Sequence, residues 1–209
     1  MKNWIRTLAL AGLLVAGFAH ADVKEGTDYK LLPKTHAIEV PGKLEVIEFF
    51  WYGCPHCRSI EPAVDAWAKK LPKDVNFRRV HVIWPGRPDI EAHAKIFVAL
   101  QAMGIDGKYQ PAVMDAVQGE RLELRRDNVL YPWLKKQGID EAKFRASYNS
   151  FSSNLALKKL TQLSQEYAVE GVPAFFVNGK YAAGPSMNPD FTRVIDELLA
   201  KERQAGKKK

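Results

Sequence analysis

The sequence predicts an α/β protein in which an all-helical block interrupts a mixed β-sheet, and three observations support this. Strand-like apolar runs occur only before residue 89 and after residue 167. Between these positions no strand signal survives, and helix signals repeat instead. Neither flanking part could bury both faces of its own strands, so we expect the two parts to form one sheet with the helical block as a lid.

The first flanking part has a strand, helix, strand pattern. Residues 46–52 form a nearly continuous β-branched and aromatic run, typical of a strand buried on both faces, and Gly53 ends it. Apolar residues then recur at helical spacing from Ile60, and a second strand is predicted over residues 78–84. Such a unit implies parallel strands joined by a right-handed crossover. A weaker strand candidate comes earlier, at residues 36–40.

In the helical block, Asp127 and Asp140 are predicted to be N-caps. The strand pattern returns over residues 172–177. Asn178-Gly179 follows, which is the strongest short hairpin signal, and a second strand over residues 180–183 completes the hairpin.

The last element is predicted to be a helix with an apolar face. Asn188 is its expected N-cap, and Pro189 is expected at the first helical position, where a missing N–H and a preset φ are tolerated.

The first 21 residues have the features of a secretory signal peptide. Lys2 and Arg6 precede a short apolar run, which ends in the small-x-small pattern Ala19-His20-Ala21. We therefore predict cleavage after Ala21 and export of the remaining 188 residues. The apolar run is about half of the ~20 residues that a membrane span needs. An uncleaved anchor or a buried helix is the alternative interpretation.

The charge pattern does not favour nucleic-acid binding. The full chain has a net charge of +7, and loss of the two basic residues in the signal leaves +5. Part of this excess lies in the tail, residues 201–209, and no basic stripe interleaved with aromatic residues is present.

The two cysteines, Cys54 and Cys57, are three residues apart. A disulfide across so short a loop restricts the unfolded chain far less than a long-range one. The pair is therefore poorly placed to stabilise a fold and well placed to react.

The tetrad Cys54-Pro55-His56-Cys57 lies directly between a buried strand and a helix. This places the Cys54 sulfur at a helix N-terminus, where unpaired N–H groups and the helix dipole favour a thiolate. Pro55 suits the first helical turn, and a cationic or hydrogen-bonding His56 would lower the pKa of Cys54 further. A stabilised thiolate favours the reduced form, which makes the disulfide a strong oxidant.

Cys57 lies one turn further along the same helix and closer to the core. We expect it to be shielded and to attack only a mixed disulfide already formed at Cys54. Glu48, six residues before Cys54, is a carboxylate inside the buried strand. It is either a structural charge, paired for example with Arg79, or a proton acceptor for Cys57.

Gly171-Val172-Pro173 opens the later strand, and we predict a cis bond between Val172 and Pro173. Local sequence alone does not establish this, because only about one X-Pro bond in twenty is cis. With a cis bond, the Val172 backbone beside Cys54 could pair with an extended substrate chain.

These motifs resemble the DsbA family of periplasmic thiol:disulfide oxidoreductases over nearly the whole mature chain. The matching segments are Glu48-Phe49-Phe50, the tetrad, Gly171-Val172-Pro173-Ala174 and the run from Phe176 to Tyr181. The resemblance implies a thioredoxin-like fold with an inserted all-helical domain. The implied organisation is a signal peptide (1–21), a thioredoxin-like domain (22–88 and 168–209) and a helical insertion domain (89–167).

The resemblance also implies a function. The chain would donate its Cys54–Cys57 disulfide to unfolded or reduced exported proteins and be reoxidised by a DsbB-like membrane quinone reductase. It would act as a monomer in the periplasm with no cofactor beyond the cysteine pair. Pro62, inside the active-site helix and expected to kink it, resembles thioredoxin itself more than the best-known DsbA proteins, so it leaves open how oxidising the pair is.

Three other interpretations compete with this one. A thiol reductase or disulfide isomerase would use the same cysteine pair, but only about 20 mature residues precede the first strand, too few for the dimerisation domain of DsbC-type isomerases. A zinc site would need His56, His81 and His93 beside the cysteines. His81 and His93 are better explained as a strand residue and a surface helix residue, so no metal is expected. The third interpretation is a binding or chaperone module with a structural disulfide.

Overall fold

The computed structural model describes residues 23–206. The predicted signal peptide, residues 1–21, and its cleavage after Ala21 lie outside the described residues. Within residues 23–206, no helix is long and apolar enough to cross a membrane.

Five strands form a single mixed sheet, in the order β1-β5-β4-β2-β3. The central strand β2 pairs in parallel with β3 and antiparallel with β4, and the second of these pairs joins the two flanking parts of the chain. The predicted single sheet and its parallel unit are therefore confirmed. The strands are β1 (Tyr29–Leu31), β2 (Leu44–Phe50), β3 (Val75–His81), β4 (Ala174–Val177) and β5 (Tyr181–Ala183).

Seven helices are described, and five of them follow one another between β3 and β4. The helices are α1 (Pro55–Ala68), α2 (Pro88–Ala102), α3 (Asp106–Gln118), α4 (Asp127–Lys136), α5 (Glu141–Tyr148), α6 (Phe151–Glu166) and α7 (Phe191–Gly206). One apolar cluster joins sheet residues to the inserted helices α2–α6, and a second joins the sheet to α1 and α7. The active-site helix α1 continues through Pro62.

Several predicted boundaries are wrong. Residues 36–40 form no strand, and the strand beside β5 at that edge of the sheet is β1, whose Lys30 is opposite Ala182. β3 ends at His81 rather than at residue 84: the Val82 N–H still donates to the Phe50 carbonyl of β2 (2.9 Å), but the Ile83 N–H donates to the Ser164 hydroxyl of the insertion instead (3.2 Å).

Helix ends show a second group of differences. Helix α7 begins at Phe191, and Asn188 instead accepts a hydrogen bond from the Asp190 N–H in the preceding turn (2.8 Å). Asp140 is the N-cap of α5, as predicted, and accepts from the Lys143 N–H at 3.0 Å. Asp127 is the first residue of α4 rather than its cap.

Candidate active site

Cys54 is the N-cap of α1, directly after the turn that follows β2. Its backbone is extended (φ −85°, ψ 114°), and its sulfur accepts a hydrogen bond from the Cys57 N–H at 3.2 Å. The Cys54 N–H in turn donates to the Trp51 carbonyl at 2.9 Å, and Pro55 occupies the first helical turn. The sulfur is therefore at the positive end of α1, as the sequence predicted.

These contacts lower the pKa of Cys54 to about 6. The largest cause is a hydrogen bond from the Cys57 thiol, followed among the lowering causes by the backbone N–H groups of Cys57 and His56 and by the charge of the exposed His56 side chain. Burial opposes the shift, since it disfavours a charged sulfur. Both cysteines are free thiols in this structure.

Cys57 is fully buried, and burial is the main reason that its pKa is raised far above the ordinary value. Its thiol hydrogen bond to Cys54 and the negative charges of Cys54 and Glu48 act in the same direction. The predicted shielding of Cys57 is therefore confirmed, whereas Cys54 keeps a small exposed fraction of 5%.

The Val172–Pro173 bond is cis, as predicted. The Cys54 thiol donates to the Val172 carbonyl at 3.3 Å, although 118 residues separate the two in sequence. Val172 and Pro173 also line a groove of about 690 Å³ beside the tetrad. Other residues lining this groove are His56, Ile60, Ala174, Ala182 and Met187.

Glu48 lies beneath this site in a buried cluster of charges. The Arg79 Nε donates to Glu48 Oε2 at 3.0 Å, so the pairing considered for Glu48 is present. Burial raises the pKa of Glu48 to about 7, against the opposing charge of Arg79. Glu48 Oε1 is buried without a hydrogen-bond partner. The same carboxylate raises the pKa of Cys57, so it is both a paired charge and an electrostatic neighbour of that sulfur.

Glu61 completes this cluster, and the sequence interpretation did not identify it. Its Oε1 lies 3.0 Å from Arg79 Nη2, and only 4% of the residue is exposed. Burial raises its pKa. The available signal was helical spacing, because Glu61 follows Cys57 by four residues and therefore lies on the same inward face of α1.

Of the three histidines considered as zinc ligands, His56 is exposed and the other two are internal. His81 is fully buried and lies near the Tyr52 N–H (3.4 Å). His93 was predicted to be a surface residue, which is wrong: it is 8% exposed and accepts a hydrogen bond from the Trp51 indole at 3.0 Å. The periodicity of α2 did not reveal this, because Trp51 contacts it from a different part of the chain.

Gln118, at the end of α3, is a further residue that the sequence did not single out. Its side-chain amide donates to the Tyr52 carbonyl at 2.7 Å and to the Cys54 carbonyl at 3.1 Å. A glutamine in the last turn of a helix has no pattern that marks it, so only the tertiary structure reveals this contact.

The fold and this site agree with comparisons to known proteins. The model of the DSBA-like thioredoxin domain family matches residues 45–195. The chain belongs to this family. It is 38% identical over 206 residues to the thiol:disulfide interchange protein DsbA of Burkholderia cepacia (95% of this chain, 96% of the relative). It is 39% identical over 202 residues to the protein of the same name from Azotobacter vinelandii (95% of this chain, 94% of the relative).

A solved structure extends the likeness to three dimensions. The crystal structure of Pseudomonas aeruginosa DsbA superposes with a TM-score of 0.81 at 37% identity, covering 87% of this chain and 95% of that one. The chain is therefore a thioredoxin-like protein and a thiol:disulfide oxidoreductase.

Proposed function

We propose that this chain is a periplasmic oxidase that donates a Cys54–Cys57 disulfide to newly exported proteins. The observation that carries the proposal is the contrast between the two sulfurs: the pKa of Cys54 is lowered to about 6, whereas that of Cys57 is raised. A thiolate stabilised at Cys54 favours the reduced protein, and the disulfide is correspondingly oxidising.

The transfer proceeds through a mixed disulfide. A thiolate of the client attacks the Cys54 sulfur of the disulfide, and the Cys54–Cys57 bond breaks with Cys57 as the leaving group. A second client thiolate then attacks the client sulfur in the mixed disulfide and releases Cys54 as a thiolate. The client gains one disulfide, and two electrons remain on the cysteine pair.

Glu48 exchanges a proton with Cys57 in this scheme. When Cys57 leaves, its thiolate is buried and needs a proton, which a protonated Glu48 supplies. During reoxidation the same carboxylate takes the proton back, so that Cys57 can attack the mixed disulfide at Cys54. A pKa of about 7 for Glu48 suits both directions at neutral pH.

Client binding uses the backbone of Val172 and the groove beside Pro173. An extended client chain can pair with the Val172 peptide group and place its cysteine against Cys54, from which the Val172 carbonyl is 3.3 Å. Backbone pairing does not depend on the client's side chains, which suits an enzyme with many clients. His56 and Pro55 shape the same edge and tune Cys54.

A signal peptide cut after Ala21 delivers the chain to the periplasm, and a DsbB-like membrane quinone reductase reoxidises it. The cysteine pair serves as the whole redox centre, without an added cofactor. A monomer is sufficient, because Cys54, Val172 and the groove all come from one chain.

A redox titration against glutathione tests the direction of transfer. We expect a reduction potential of about −180 mV or higher, as the oxidising members of this fold show, which is above a cytosolic glutathione poise of about −220 to −260 mV. A potential below about −250 mV would instead identify the alternative, a thiol reductase. A scrambled-disulfide refolding assay would reveal isomerase activity.

A further inference from the structure

Gln118 connects the helical insertion to the turn that carries Cys54. It is the last residue of α3, and its side-chain nitrogen contacts two carbonyls of the turn: Tyr52 (2.7 Å) and Cys54 (3.1 Å). Both distances are within the range of well-formed N–H···O bonds. One side chain of the helical insertion thus contacts the turn of residues 52–54 at two backbone carbonyls.

Other hydrogen bonds also hold this turn, among them those from the Tyr52 N–H to His81 (3.4 Å) and from the Cys54 thiol to the Val172 carbonyl (3.3 Å). The Cys54 N–H donates to the Trp51 carbonyl, and the Cys54 carbonyl accepts the first helical hydrogen bond, from the Arg58 N–H at 3.1 Å. Tyr52 is fully buried, so a carbonyl in its backbone needs a partner in the protein, and Gln118 supplies one.

We propose that Gln118 is a positioning residue for Cys54, which it holds at the N-terminus of α1 by fixing the backbone of residues 52–54. The position of the Cys54 sulfur relative to the Cys57 N–H, now 3.2 Å, follows directly from that backbone. Without Gln118 the turn can relax, and the sulfur loses part of the donor environment that favours its thiolate. The inference rests on the proposed role of Cys54 as the reacting sulfur.

The disulfide form provides an internal comparison. A Cys54–Cys57 bond would itself tie the turn to α1. Gln118 should therefore contribute less to the stability of the disulfide form than to that of the reduced form. A positioning role therefore predicts that loss of Gln118 destabilises the reduced protein more than the oxidised one. A residue that only joins the two parts of the fold would affect both forms equally.

A matched control lies one turn earlier on the same helix. Asp115 forms an ion pair with Arg58 of α1, and both side chains are well exposed. Asp115→Asn therefore removes another contact between α3 and α1 without touching the turn. Without the Asp115 charge, any effect of the Arg58 cation would be to lower the pKa of Cys54. This is opposite to the increase expected when Gln118 is replaced.

The experiment follows thiolate absorbance against pH in the full reduced chain for wild type, Gln118→Met and Asp115→Asn. Methionine keeps the length of glutamine but has no donor. We expect Gln118→Met to raise the apparent pKa of Cys54 by about half a unit to one unit, which means about three to ten times less thiolate below that pKa. Asp115→Asn should not raise it. Gln118→Leu serves as a second apolar variant should methionine fold poorly.

Unfolding of the reduced and disulfide forms is measured beside the titration. An unchanged pKa in the Gln118 variants, with equal losses in both forms, would overturn the positioning role. The proposed direction of disulfide transfer is tested separately. It depends on the reduction potential of the wild type and not on the pKa difference between the Gln118 variants and the wild type.

Discussion

The surroundings of Cys54 and Cys57 are opposite in character, although the two residues are one helical turn apart. Around Cys54, the hydrogen bond from the Cys57 thiol lowers the pKa most, and the N–H groups at the start of α1 and the exposed His56 lower it further. Around Cys57, burial and two nearby negative charges raise it. The difference arises from depth in the fold: one sulfur is at the end of a helix, where donors are unpaired, and the other is inside it, where they are not.

This contrast accounts for a division of labour between identical side chains. In the proposed reaction the client attacks the sulfur with the lowered pKa, and the sulfur with the raised pKa is fully buried. The charges beneath them reinforce the difference, since the Glu48 carboxylate acts on Cys57 from the buried side. Substitutions that change one of the two sulfurs, or the groups around only one of them, therefore test this division of labour directly.

The largest effect is expected from exchanging either sulfur for oxygen. Cys54→Ser should abolish disulfide donation, because no sulfur then remains where a client can attack. Cys57→Ser should also stop donation, because no Cys54–Cys57 disulfide can form. Its Cys54 thiolate can still attack a disulfide already present in a client, which releases one client sulfur as a thiolate and leaves the other joined to Cys54, with no Cys57 to displace it. Non-reducing gel electrophoresis distinguishes the two. Full activity in Cys54→Ser, or trapped complexes in that variant, would show that the roles are assigned wrongly.

A smaller effect is expected at Glu48. Its folded pKa of about 7 exceeds the ordinary value of 4.5, so its contribution to stability is fully present below about pH 4.5 and is lost as the pH rises through 7. Glu48→Gln should remove this loss, and its stability relative to wild type should rise by up to a few kcal/mol between these pH values.

Denaturant unfolding of the disulfide form at pH 4.5 and pH 8 measures this change without interference from the thiols. Glu45→Gln is the matched control, because Glu45 is a buried carboxylate of the same strand that accepts from Arg78 at 3.0 Å. If both variants lost stability equally at both pH values, Glu48 would be a structural charge only.

A third prediction concerns His56, the last of the principal causes that lower the pKa of Cys54. His56→Leu should raise that pKa by less than one unit, so the reduced protein gains less stability as the pH rises through about 6. Thiolate absorbance against pH checks the shift. Because His56 is exposed, added salt should narrow the difference between variant and wild type. A difference that salt leaves unchanged would point to the backbone instead.

Local patterns were sufficient to predict the central strands, the helical insertion and the position of Cys54, because each depends on periodicity or on a helix start. They failed for β1, since three residues are too few to show alternation. They also assigned residues 36–40 to a strand, where the backbone instead bonds outside the sheet, as from His36 to Gly179.

The supporting residues of the site were harder to predict than the cysteines. Arg79 was foreseen as a partner for Glu48, because neighbouring strands place the two side by side. Gln118 and the pairing of Trp51 with His93 join segments that are far apart in sequence, and no local pattern specifies such contacts. A reactive residue can be identified in the sequence from its own chemistry, whereas the residues that hold it in position can be identified only from the tertiary structure.

The smallest effect on the pKa difference between Cys54 and Cys57 is expected from replacing Pro62. This is the residue that, in the sequence, left the reduction potential of the pair undecided. Pro62 has no N–H for the Arg58 carbonyl, so Pro62→Ala restores a helical hydrogen bond and should stabilise the protein by at most about 3 kcal/mol. Greater freedom of the unfolded chain offsets up to about 1 kcal/mol of this. Pro62 is exposed and about two turns from Cys54, beyond the N–H groups that contact its sulfur. The melting temperature should therefore rise while the reduction potential stays unchanged. A changed potential would mean that the path of α1 beyond its first turn also affects the stability of the Cys54 thiolate.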